Sequence, residues 1–149
     1  MIDESLLEIY RQLRTHQEKY IYFILATAAS AIAYALNRAE GRSLTLILIP
    51  WGIALTLWGL SFYFGCRHLD RVEKIITLNI KGIEIGAGRN PDFGNNSVSI
   101  ANTMKEVKEI IALETKKAYL LVKLQFWFFV AGILAYIFWQ LIEMSIRSQ

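Results

Sequence analysis

The sequence predicts an all-α membrane protein: three transmembrane helices in up-down-up order, the long helices extending into a cytoplasmic three-helix bundle. Three observations predict it. Residues 43–66 form an uncharged run of some two dozen residues, long enough at ~1.5 Å per residue to cross a hydrocarbon core of ~30 Å. Two similar runs flank it, at 20–37 and at 124–142. Between the runs, apolar positions recur at alternating spacings of three and four, which is helical periodicity.

The leader, 1–19, reads as a cytoplasmic amphipathic helix. Ile2, Leu6, Ile9, Leu13, His16 and Tyr20 form its stripe, and Asp3 or Ser5 supplies an N-cap. The acids Asp3, Glu4 and Glu8 are unlike the basic leader of a cleavable signal peptide, so the first span is expected to be retained. No Gly or Pro separates the leader from that span, 20–37, and one continuous helix is expected rather than a surface helix with a bend near Lys19. The span is rich in small residues (Ala26, Ala29, Ser30, Ala33, Ala35), which let helices approach closely in lipid.

A short linker, 38–42, makes the first two spans a tight antiparallel hairpin. In the second span, 43–66, Pro50 is expected one to two turns from the start, where it costs little or kinks the helix mildly. Gly52, Thr56 and Gly59 repeat small residues at spacings of four and three, a second close-packing face. Beyond Arg67 the stripe Leu69, Val72, Ile76, Asn79 and Ile83 carries the helix into a cytoplasmic hairpin, 67–118, whose turn-rich tip occupies 86–97. The return helix passes into the third span, 119–142. Its stripe runs Ile100, Met104, Val107, Ile111, Glu114, Ala118, Leu121, Gln125, Phe128, Gly132, Ala135, Trp139 and Ile142.

The whole chain, 1–149, reads as one domain. Tyr20, Tyr22, Trp51, Phe126, Trp127, Phe138 and Trp139 fall where aromatic belts are expected. With the N-terminus cytoplasmic and the C-terminus periplasmic, thirteen Lys and Arg lie inside and three outside, a strong positive-inside bias.

Candidate chemistry is sparse. The glycines 82, 86 and 88 lack the strand and the Lys-Ser/Thr of a phosphate loop. Asn95-Asn96-Ser97 matches a glycosylation sequon but falls on the cytoplasmic side. The lone Cys66 permits no disulfide within the chain, and Cys66 and His68 point to different helix faces, so Arg67 and His68 read as headgroup anchors. No nucleophile–base pair, metal-ligand set or nucleic-acid footprint is evident, so no enzyme activity, cofactor, metal or nucleic-acid partner is expected. The expected midplane residues Thr27, Ser30, Thr56, Gly132 and Ile133 include no ionisable group, which argues against a pump or a monomeric transporter. His16, Arg71 and Glu114 are candidates for a polar layer that fixes register or senses pH, or for solvated groups at a bundle rim. Lys81, Arg89, Asp92 and Phe93 are candidates for a partner surface.

The phrase Ser61-Phe62-Tyr63-Phe64-Gly65-Cys66-Arg67-His68-Leu69, with the third span from Lys123-Leu124-Gln125-Phe126 to Trp139, Glu143 and Met144, resembles small bacterial three-span inner-membrane proteins of unassigned function. The resemblance covers most of the chain. It implies a multi-pass protein of the bacterial inner membrane and brings no catalytic or binding residue. In architecture the chain is similar to small membrane effectors of antiphage systems.

The expectation is a homo-oligomer whose assembled spans permeate or perturb the inner membrane, for example as a defence effector. The packing or pore-lining candidates are Thr27, Ser30, Gly52, Thr56, Gly59 and Gly132. The alternative is a non-enzymatic anchor or scaffold that recruits a soluble cytoplasmic protein through the helical hairpin.

Overall fold

The computed structural model describes residues 4–39, 48–86 and 97–147, and these form three helices: α1 (Glu4–Ala39), α2 (Ile49–Gly86) and α3 (Ser97–Arg147). At 36, 38 and 51 residues, they rise about 54, 57 and 76 Å. Each contains a stretch long and apolar enough to cross a membrane. α1 contains neither Gly nor Pro and runs unbroken through Lys19. Pro50 is the second residue of α2. It sits in the first turn of the described helix, where its missing N–H leaves no helical bond unmade. The linker, the hairpin tip and the leader side chains Ile2, Leu6, Ile9 and Leu13 lie outside the described residues.

The chain divides into two compact units. One comprises residues 1–65 with 124–149, the other 66–123. The first unit contains α1 and the apolar parts of α2 and α3. Its core joins Ala35, Ala54 and Trp58, with Ala31, Ile32, Trp51, Leu55, Phe129, Ala135 and Tyr136 packed around them. Trp58 and Tyr136 lie with ring centroids 5.5 Å apart, Tyr136 and Trp139 5.3 Å apart, and Phe64 stacks on Phe128 at 5.3 Å. Trp51 Nε1 donates to the carbonyl of Ala35 at 3.1 Å, closing α2 against α1. Trp51 and Trp139 thus serve the interior rather than an aromatic belt, whereas Tyr20, Tyr22, Phe126, Trp127 and Phe138 are exposed.

The second unit pairs the remaining lengths of α2 and α3. The leader of α1 groups with the first unit. Gly82 brings α2 close to Val107 of α3, where a Cβ would lie 3.5 Å from Val107 Cγ1.

The inward face of α3 follows the expected stripe throughout: every position from Ile100 to Ile142 on it is buried or half-buried. The inward face of α2 follows it only in part, with Leu69, Val72 and Ile76 half-buried. Asn79 and Ile83 are exposed, and the buried positions are Ala54, Trp58, Ser61, Gly65, His68, Gly82 and Ile85. From Ala54 to His68 these alternate by four and three, and His68 and Gly82 fall one residue before Leu69 and Ile83 of the expected stripe. α1 is also offset by one residue, because Tyr20 is exposed and Ile21, Ile24, Leu25, Ala28 and Ala35 are buried.

Candidate functional site

Three features have the chemistry to act: a polar seam in the first unit, an ionic cluster in the second, and a set of small residues left uncovered.

The seam begins at Ser61, which is fully buried and donates its hydroxyl to the carbonyl of Gln125 at 2.8 Å. Gln125 is itself fully buried, and neither its Nε2 nor its Oε1 has a hydrogen-bond partner. Gly65 permits the approach. A Cβ there would lie 2.6 Å from Gln125 Nε2 and 2.7 Å from Leu25 Cδ2, so all three helices converge on this glycine. Two turns away, Gly132 does the same for Trp58, whose indole would meet a Cβ at 2.6 Å. Trp58 Nε1 also lacks a partner. Unpaired buried polar atoms are destabilising, so this seam is held by shape and not by its amides.

The ionic cluster centres on Glu114, a buried residue. Arg71 Nη1 donates to Glu114 Oε2, and Lys74 Nζ lies 3.2 Å and Lys117 Nζ 3.8 Å from Oε1. The hydrogen bond from Arg71, then that from Lys74, holds the Glu114 carboxyl below its ordinary value of 4.5, although burial alone would raise it. The structure brings Arg71 and Glu114 together, while His16 is exposed on α1 in the other unit. The histidine of this unit's interior is His68. It is buried, with Nδ1 2.9 Å from the carbonyl of Ala118, so it joins α2 to α3 rather than anchoring headgroups beside Arg67. Arg67 is exposed and pairs with Asp70 at 3.6 Å.

The small residues divide into two sets. Gly132 is consumed by internal packing. Gly52 and Gly59 have no neighbour within 4 Å of the point where a Cβ would stand, and Thr56 between them is exposed. On α1, Ala26, Ala29, Ser30 and Ala33 are also exposed, with Thr27 half-buried. Thr27, Ser30 and Thr56 donate to the carbonyls of Phe23, Ala26 and Gly52 at 2.7, 2.8 and 2.9 Å. Their hydroxyl protons are thereby satisfied within their own helices, which makes these faces inexpensive in an apolar medium.

Lys81 is exposed on α2; Arg89, Asp92 and Phe93 lie outside the described residues. Among the described residues, no group of three His, Cys, Asp or Glu side chains is placed to hold a metal ion. Ser61, Trp58 and Gly65 are site residues that the sequence candidates do not include, and His68 figures among them only as a headgroup anchor. Their signal is the series 51, 54, 58, 61, 65, 68, 72, 75, an unbroken alternation of three and four. Comparison with family models, curated proteins and solved structures finds no match to the chain.

Proposed function

We propose that the chain crosses the bacterial inner membrane three times, N-terminus inside and C-terminus outside, and self-assembles through the open small-residue faces of α1 and α2. The assembly perturbs or permeates the membrane, the action expected of a defence effector. Support for the bilayer comes from the exposed apolar surface. The most apolar stretch of α3 is only 11% buried, and Phe23, Tyr34, Trp127, Leu134 and Leu141 all stand exposed, an amount of apolar surface that suits a membrane or another apolar surface.

The observation that carries self-assembly is the contrast among glycines. Gly65 and Gly132 are filled by neighbours within the chain, whereas a Cβ at Gly52 or Gly59 would meet no described atom within 4 Å and Thr56 between them is exposed. In lipid, where burying apolar side chains gives no hydrophobic gain, such faces associate by close backbone contact. Three helices packed on a core enclose no conduit, so permeation needs several copies.

Dye release from liposomes and depolarisation of overexpressing cells test the activity. Wild type is expected to produce both, and Gly59→Leu to abolish them. Absence of leakage by wild type, with or without a trigger, would remove the permeation reading. An anchor reading has one observation in its favour: Ile80, Ile83, Ile110 and Leu113 of the second unit are exposed. Such side chains in an aqueous hairpin suit a soluble partner, to be sought by crosslinking from Lys81.

A further inference from the structure

The second unit distributes its charge unevenly. The stretches 66–74 and 114–123, which adjoin the apolar segments, hold six basic residues against three acidic ones. The rest of the unit, 75–113, holds four of each. The whole excess is therefore collected at one end of the hairpin, and at its centre Arg71, Lys74 and Lys117 surround the single carboxylate of Glu114. One carboxylate neutralises one of the three cations. The side chains of Lys74 and Lys117 remain 58% and 57% exposed, and Arg71 Nε has no acceptor.

We infer that Arg71, Lys74 and Lys117 form a binding site for the phosphate of an anionic lipid headgroup, with Glu114 holding the cations in place. The inference rests on the membrane reading above. Arg71 follows the last residue of the uncharged run by five positions, about 7.5 Å of helix rise. The headgroup layer extends about 5–7 Å beyond the hydrocarbon on each side. Lys74 and Lys117 stand eight and seven positions from the uncharged runs, about 12 and 10.5 Å of helix rise, and their long side chains must reach back toward the headgroup layer for a phosphate diester to meet both ammonium groups and the Arg71 guanidinium. Basic clusters at this level select anionic over zwitterionic lipid, because the zwitterion carries its own ammonium beside the phosphate.

The test is native mass spectrometry of the full chain in detergent, titrated with phosphatidylglycerol, with phosphatidylcholine and, separately, with soluble glycerol phosphate. Wild type should retain phosphatidylglycerol preferentially. Lys74→Gln with Lys117→Gln should weaken that preference by about fivefold for each cation removed, while Lys105→Gln with Lys108→Gln in the charge-balanced stretch should not. Glu114→Gln should weaken it as well, because Arg71, Lys74 and Lys117 lose the carboxylate that holds them together. Equal retention of both lipids by wild type overturns the site, as does an unchanged preference in the double variant. Soluble glycerol phosphate binding as tightly as the lipid would overturn the assignment to lipid. Flotation of wild type with phosphatidylcholine vesicles separates the two readings. A chain that floats without headgroup preference refutes the site alone, and one that fails to float refutes the membrane reading as well.

Discussion

The indole of Trp58 lies so close to Gly132 that a methyl group there would sit 2.6 Å from Cδ1 and from Nε1. The atoms in the way belong to a rigid ring in the core, so the added carbon cannot be met by a small rotation of a flexible tip. Gly132→Ala is therefore expected to destabilise the chain by about 1–3 kcal/mol. The same change at Gly59 meets open space and should be neutral or stabilise by up to about 1 kcal/mol through helix propensity. Thermal unfolding in detergent measures both; equal shifts would contradict this packing.

Gln125 offers a second contrast. Its amide is buried without a partner, and removing such a group while keeping its volume recovers a desolvation cost of about 1–3 kcal/mol. Gln125→Met should raise the unfolding temperature, whereas Gln125→Ala should lower it by leaving a cavity against Gly65 and Leu25. A drop in both variants would show that the amide is satisfied in the working assembly.

The three helices and the inward stripe of α3 are legible in the sequence. Charge-free runs mark the long apolar helices, and α3 keeps a single series free of proline from Ile100 to Ile142, apolar or small except at Glu114 and Gln125. On α2 the pattern misleads by one residue. The uncharged half of this helix is apolar on every face, so only the charged half offers a stripe, and that stripe starts from Leu69. It passes over His68 and Gly82, whose residue types suggest a polar surface and a helix breaker. Burial of Trp139 is hidden for a related reason, since an aromatic near a span end suits a belt and a core equally well. Which glycines are spent inside the chain and which stay open depends on the facing side chain, Trp58 for Gly132 and none for Gly59. Spacing along one helix carries no information about that.

Glu114 predicts the pH response of the hairpin. Its carboxyl titrates below 4.5 in the folded chain because Arg71 and Lys74 donate to it. A depressed folded value means that the charged form stabilises the fold above about pH 4.5, and that this contribution is lost as pH falls through the folded value. Thermal stability should decline on acidification below that point, and Glu114→Gln should flatten the decline while lowering stability at neutral pH. A variant with the wild-type acid profile would show that the cluster is solvated.

Topology has a direct readout. In a Cys66→Ser background, Lys81→Cys should be shielded from an impermeant thiol reagent in intact cells, while Ser148→Cys should react. Labelling at position 81 from outside would reverse the orientation drawn from the charge bias.

Self-assembly through Gly52, Thr56 and Gly59 is tested most directly by the native mass of the purified chain in lipid nanodiscs or mild detergent. Wild type should appear as a defined multiple of its 17.1 kDa chain mass, and Gly59→Leu should shift it toward the single chain, because a bulky side chain separates the close-packed backbones. A wild-type chain that remains a 17.1 kDa species in lipid would contradict the account.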